Sequence, residues 1–459
     1  MKPTHSVHSS ALRATRYYAI RSLAIVALFL PVSLVAQTQT NAPPPPPTRP
    51  ATQIPAPSMP HNPSVVITLD QAIDFARHNN PELQAQRTLV YQSREQEVTA
   101  NLRPNPTLSW DGQYLPLFEP HLFSSDYIDD TAQFDAGISY LFERGKKRQN
   151  RLLAAKGVTA VTEAQVADAE RTTISQTAQQ FVTALLAKSN LDFTEHLLDS
   201  YQHTVTISQQ QQKNGKMTTA DLLKIQLQAL QFQNDVTSAR IALVQALNIL
   251  RELIGFDSVP RDYDIVGDLG YIPMTLTLSD LQTRALASRP DLEAARRGVT
   301  AAQSQIGLAK AESKQDLNVT FDYTHVNASN LGAFYFQIPL PIFNRNQGEV
   351  ARTYYALTQS QFLEKASEQQ VLTDVKNAYE TLLNSRDILQ MYETGYLGQA
   401  QQSLDLAQSS YAHGSATLLD FLDAQRSYRS TELSYRQALA SYMQALEQLR
   451  QAVGARDLQ

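Results

Sequence analysis

The chain carries one pattern of elements twice. TLDQAIDFARHNNPELQAQR (Thr68 to Arg87) is answered by TLSDLQTRALASRPDLEAARR (Thr277 to Arg297), and Pro81-Glu82-Leu83 by Pro290-Asp291-Leu292. NGKMTTADLLKIQ (Asn214 to Gln226) is answered by HGSATLLDFLDAQ (His413 to Gln425), with glycine and aspartate six apart in both. A period of about two hundred residues is far longer than a solenoid unit, so this is a duplicated domain and not an array. The boundaries read as repeat 1 over 68–256, a linker over 257–276 and repeat 2 over 277–459. Two such units in one chain predict a pseudo-symmetric wall.

Within each repeat two short segments alternate with period two. Leu108, Trp110, Gly112 and Tyr114 interleave with Thr107, Ser109, Asp111 and Gln113; Phe134, Ala136, Ile138, Tyr140 and Phe142 interleave with Gln133, Asp135, Gly137 and Ser139. Repeat 2 does the same with Leu317, Val319, Phe321 and Tyr323, and with Phe334, Phe336, Ile338, Leu340 and Ile342. Each segment has an apolar, aromatic-rich face, and its length suits a tilted strand crossing a bilayer. Alternation of this kind also describes a small soluble sheet resting on a core. The flanking helices are too polar and too long to offer that core, and aromatics crowd the strand ends as an interfacial girdle would. An open sheet edge is not tolerated in lipid, and four strands cannot close a useful bore. Several copies must therefore share one barrel; three would give twelve strands.

The helices are longer than a globule uses. From about Lys146 to Asn214 there is no proline and one interior glycine, Gly157; the matching stretch runs from Glu349 to His413, with Gly395 and Gly398 as points where it can bend. At 1.5 Å per residue each approaches roughly 100 Å. Apolar residues recur at helical spacing, Leu185, Leu186, Leu191, Leu197 and Leu198 in one and Leu382, Leu383, Leu389, Leu397 and Leu404 in the other. The remaining faces are Gln, Ser, Thr and Asn. Only 18% of residues are charged, whereas a soluble coiled coil flanks its seam with Glu and Lys. Such helices gain stability by packing side by side, so Thr219 to Leu253 and Leu418 to Val453 are read as antiparallel return legs. Uncharged polar faces suit the lining of a wide aqueous tunnel.

Turn chemistry specifies both hairpin tips. Gly215 and Gly414 stand where a left-handed C-cap is wanted, and Thr218 with Asp221, and Thr417 with Asp420, fit capping boxes that start the return helices. Asp423 lies one turn beyond Asp420 on the same face, and its counterpart in repeat 1 is Lys224, so capping does not account for it. Around a threefold axis Asp420 and Asp423 would supply six carboxylates, an arrangement that attracts cations and narrows an entrance.

The N-terminus reads as an address. Arg13, Arg16 and Arg21 precede the apolar run Ser22 to Ala36, too short for a comfortable span and containing Pro31, which predicts a secretory signal over 1–36. An N-terminal anchor helix is the alternative. The Pro-rich stretch that follows predicts an extended periplasmic tether over 37–67.

NPEL, RPDLEAA, the paired strands and GSATLLDFLDAQRS resemble the TolC family of outer-membrane efflux channels over nearly the whole mature chain. The resemblance implies a mainly α fold with a membrane β-barrel: a homotrimeric α-barrel continuous with a 12-stranded β-barrel held in outer-membrane lipid. It also implies two protein partners, a periplasmic adaptor (membrane fusion) protein docking near the tips and an inner-membrane pump, expected to be proton-driven. By the same resemblance Asp420 and Asp423 match an acidic constriction, and Asp221 with Tyr411 a pair that ties neighbouring helices shut; Ala416 stands where such members carry an arginine. Leu141 to Ala155 and Ile338 to Arg352 look like the branch working with cobalt-zinc-cadmium or copper pumps.

Other chemistry finds little footing. There is no cysteine, hence no disulfide, thiolate metal site, thiol nucleophile or lipid-modified cysteine. A net charge of -5, with no basic excess, argues against nucleic acid. The nine histidines contain no HxxxH and the six methionines no cluster, so no metal site is expected even if the cargo is metal; His196 and His203, seven apart, read as packing or solvation. No catalytic constellation or cofactor motif occurs, so the chain is not expected to be an enzyme. The basic group Arg144, Lys146, Lys147, Arg148 and Arg151 reads as a solvated face at the membrane rim, with a lipid or ligand site as the alternative. The function expected is a passive conduit for metal cations or small toxic compounds. A type I protein-secretion conduit and a pore-less periplasmic coiled-coil scaffold are the alternatives.

Overall fold

A computed structural model describes residues 65–458. The signal and almost all of the tether lie outside them. Two helices open the described chain, α1 (Leu69–Asn79) and α2 (Pro81–Ala100), preceded by the short strand β1 (Val66–Ile67). Strand β2 (Thr107–Gln113), the short helix α3 (Ser125–Asp130) and strand β3 (Gln133–Phe142) follow, then the long hairpin of α4 (Lys147–Lys213) and α5 (Thr219–Ile254). After β4 (Asp264–Ile265), repeat 2 supplies α6 (Leu278–Ser288), α7 (Pro290–Glu312), β5 (Leu317–Val326) and β6 (Ser329–Gln337). Its hairpin is α8 (Gln347–Met391), α9 (Leu397–Ala412) and α10 (Leu418–Val453).

The first helices of each repeat start for local reasons. Thr68 and Thr277 close capping boxes with Gln71 and Asp280, and Pro81 and Pro290 occupy first-turn positions that need no amide donor. Helix α4 runs 67 residues without interruption, about 100 Å. Its counterpart is broken by a π turn, Tyr392–Tyr396, which contains Gly395 and divides α8 from α9. Gly157 permits a close helix approach: a Cβ there would lie 2.9 Å from the Cα of Ala301 on α7.

The four long strands form one antiparallel sheet in the order β2-β3-β5-β6, so the repeats join through β3 and β5. Register places Leu108, Ile138, Phe321 and Phe334 in one row, and Ser109, Gly137, Asp322 and Ala333 in the next, on the opposite face. Neither face is covered: Trp110 is 76% exposed on the first and Tyr335 53% on the second. The reading of a small sheet resting on a core therefore fails for want of a core beneath it. The fourth strand also differs from expectation. It begins at Ser329 and ends at Gln337, because Pro339 and Pro341 have no amide for the ladder.

Side-by-side helices continue the sheet. Below it α2, α4, α7 and α8 pack in that order; farther down the order is α5, α4, α10 and then α9. Leu185, Leu382 and Leu389 are buried, and the other leucines of the stripes are half-buried. The apolar interior falls into three clusters. Phe181, Leu185 and Leu250 centre one, with Ile67, Tyr263 and Ile265 brought in by the parallel pair β1-β4. Val371, Leu382, Leu389, Tyr442 and Leu449 centre the second. The span 257–276 is thus more than a connector, and a tether running to residue 67 overreaches by the length of β1: their residues Ile67 and Ile265 are fully buried. The third cluster lies toward the hairpin tips. Among the described residues no helix is long and apolar enough to cross a membrane.

Candidate functional site: the hairpin tips

Both tips turn on a left-handed glycine, Gly215 at φ 72° and Gly414 at φ 75°. A side chain there would be strained by its backbone alone. Thr417 completes its capping box: its hydroxyl accepts from the Asp420 amide at 3.2 Å, and its own amide donates to the Asp420 carboxylate at 3.0 Å. Thr218 makes half of one. Its hydroxyl accepts from the Asp221 amide at 3.1 Å and donates to the carboxylate at 2.7 Å, but its amide has no matching bond to Asp221.

Charge at the two tips diverges. Asp221 takes Lys224 as a partner at 3.4 Å, whereas Asp423 faces Arg426 at 3.5 Å with both side chains more than half exposed. The Thr218 hydroxyl, with Lys224 adding to it, holds the Asp221 carboxyl below the usual carboxylate range. The Thr417 hydroxyl and amide do the same for Asp420. Exposed pairs of the Asp423-Arg426 kind contribute little energy and leave the carboxylate available.

Tyr411 stacks on Phe421 with ring centroids 5.6 Å apart and planes 7° from parallel. Among the described residues no hydrogen bond joins it to Asp221. Burial raises the Tyr411 phenol, and the Asp221 charge raises it further, so the two share a neighbourhood without a bond inside one chain.

The structure adds residues that the sequence reading passed over. Tyr201 of α4, Ile225 and Phe232 of α5, and Leu418 and Phe421 of α10 form one buried cluster that locks the two hairpins together. Tyr201 meets Phe232 edge-on at 4.9 Å. Asp235 of α5 pairs with Arg429 of α10, whose guanidinium also lies 5.8 Å from the Phe232 ring. Higher up, Arg436 stands 5.0 Å from Phe193, Gln444 donates to Thr183 at 3.1 Å, and Ser175 donates to Gln451 at 2.9 Å. Ile225 and Phe232 are seven apart, which was the available signal; the Asp235-Arg429 pair has no counterpart motif and needs the fold to be seen.

Among the described residues no group of His, Cys, Asp or Glu is arranged to hold a metal ion. What the tips offer is a packed seam, tied by the Asp235-Arg429 pair, with carboxylates at its end.

Residues 72–256 and 281–455 match the family model described as outer membrane efflux protein. The chain belongs to this family, which is the TolC family of outer-membrane efflux channels. Among curated relatives, the cobalt-zinc-cadmium resistance protein CzcC of Cupriavidus metallidurans is 23% identical over 81% of this chain and 86% of its own length. The cation efflux system protein CusC of Escherichia coli K12 is 24% identical over 78% of this chain and 80% of its own. The solved Campylobacter jejuni CmeC outer membrane channel superposes with a TM-score of 0.69 at 16% identity, covering 84% of this chain and 85% of that one. The protein is a TolC-type channel of the outer membrane, with a large periplasmic helical portion, acting in efflux. It belongs to a family of passive channels and is not an enzyme. The pore-less scaffold alternative is thereby set aside.

Proposed function

We propose that three copies of this chain close a 12-stranded β-barrel above an α-helical tunnel, and that the assembly conducts metal cations or small toxic compounds outward. An inner-membrane pump, driven by protons, supplies the energy, and a periplasmic adaptor opens the tips. The observation that carries the reading is the pair of unfinished edges. Strands β2 and β6 each pair on one side only, and their aromatic face is bare. The helical edges are unfinished too: Leu223, Leu227 and Leu230 form an exposed stripe on α5, and Tyr355, Phe362 and Leu363 are exposed on α8. A stripe of this kind is what a neighbouring copy would cover. In lipid the sheet must close.

Asp420 and Asp423 are assigned to the periplasmic entrance, where they favour cations. Asp221 and Tyr411 are assigned to the contact between neighbouring copies, and Gly215, Thr218, Gly414 and Thr417 to the turns that hold these groups in place. With Ala416 offering no guanidinium, closure rests on the aromatic cluster and on Asp235 with Arg429. The metal branch is favoured by the names of the two curated relatives and by the strand-to-helix turns. The test is a deletion strain challenged with divalent metals, dyes and antibiotics. Sensitivity to zinc, cobalt, cadmium or copper, restored by this chain, is expected; sensitivity confined to organic compounds would refute the metal assignment, and a defect in protein export alone would favour the type I secretion conduit.

A further inference from the structure

The junction between the sheet and α4 holds a feature that conduction does not use. A cavity of about 270 Å³ opens there, lined by Arg103, Tyr140, Phe142, Glu143, Lys146 and Arg148, among others. Tyr140 and Phe142 belong to the bare apolar face of β3, and their rings meet edge-on at 4.8 Å. Arg103 and Lys146 belong to the two links that join strands to helices at the same level, and Arg148 to the first turn of α4. Arg151 ties those links together: it bonds both carboxylate oxygens of Glu143, and it donates to the carbonyls of Ala100 and Leu102, immediately before Arg103. Glu143 is thereby neutralised from outside the cavity. Lys147 is likewise spent, on Asp316 at 2.6 Å. Arg103, Lys146 and Arg148 have no ion pair among the described residues. Three free cations thus meet the end of a lipid-facing aromatic strip, one strand in from the open edge β2. At the matching junction of repeat 2, Arg345 turns its guanidinium to the Pro341 carbonyl at 3.2 Å.

We infer that this cavity binds the phosphodiester headgroup of an anionic phospholipid in the periplasmic leaflet, one per chain, with the acyl chains lying along Phe142 and Tyr140. Cations beside interfacial aromatics are the chemistry that holds such headgroups. A headgroup without net charge would leave the three cations under-compensated. The inference rests on the barrel reading given above.

The test uses the full chain purified in detergent, with lipid binding read by native mass spectrometry. Phosphatidylglycerol should bind about tenfold more tightly than phosphatidylethanolamine. The variant Arg103→Gln/Lys146→Gln/Arg148→Gln should lose that preference while remaining assembled. A charge-matched control, Arg144→Gln/Lys213→Gln/Lys216→Gln, should keep it, and inorganic phosphate should not displace the lipid. Retained preference in the first variant, equal loss in the control, or displacement by phosphate would each overturn the assignment. Extraction of the protein from membranes without detergent would instead sink the barrel reading, so the two failures are distinguishable.

Discussion

The two repeats solve one problem with different side chains. Before Pro81, Asn80 caps α2 and donates to the Leu253 carbonyl at 2.9 Å, tying the start of one helix to the end of the return leg. Before Pro290, Arg289 makes the same reach to the Ala452 carbonyl at 3.1 Å, but it is a buried cation and takes Asp291 and Asp374 with it. At the tips the contrast is again one of charge. Repeat 1 sets Lys213, Lys216 and Lys224 against Asp221, whereas repeat 2 sets Asp420 and Asp423 against Arg426. Backbone geometry is kept and electrostatics is varied, which lets a duplicated wall carry different charge at its two tips without losing its shape.

The largest expected effect separates the two anchors. Arg289→Ala strands two carboxylates near a buried site and should cost about 3–5 kcal/mol, whereas Asn80→Ala should cost about 1 kcal/mol. Denaturant midpoints of the two variants measure the gap; equal midpoints would end the comparison. Burial pushes the Asp291 carboxyl up, but Arg289 more than offsets it and holds it below the ordinary range. Its contribution is therefore present above the unfolded pKa and lost as pH falls through the lower folded value, so repeat 2 should lose more stability than repeat 1 below about pH 4.

Smaller effects sit at the tips. Thr417→Ala removes a complete capping box and should destabilise its tip by about 1 kcal/mol, and Thr218→Ala by less, as read by amide exchange of the first turn of α10 and α5. Because Asp221 and Asp420 are held below the usual range, both caps should survive mild acid and fray only as pH falls through their lowered values. Fraying already near pH 6 would contradict the cap geometry. The smallest effect is expected at Tyr201, whose hydroxyl is buried without a partner. Tyr201→Phe should leave stability unchanged or raise it by up to about 1 kcal/mol.

Much of this was legible beforehand, where a local rule was strong. Period-two alternation located β3 to the residue, and Gly-x-x-Thr followed by Asp located both tips. The edges of that legibility are physical. Ser329 to Gly332 looks like a turn, yet pairs with Thr324, His325, Val326 and Tyr323 because a hairpin needs only backbone there. The strands β1 and β4 are two residues each, too short for any periodic signal. Tyr201 and Phe232 are isolated aromatics on polar helices, and only the crossing of α4, α5 and α10 turns them into a core. Lys146 and Arg148 at the β3-α4 junction were visible in a basic group, but Arg103 was not, and the division into paired and unpaired cations needed the ion pairs.

The tips are proposed as the cation-selective entrance of the outer-membrane channel. Single-channel recording in planar bilayers tests this assignment most directly, with a divalent cation added on the side of the tips. Wild-type current should be blocked, and the block should weaken in Asp420→Asn/Asp423→Asn, since asparagine at 420 can still accept from the Thr417 amide in the capping box while the charge is gone. Block that is unchanged in this variant would contradict the assignment.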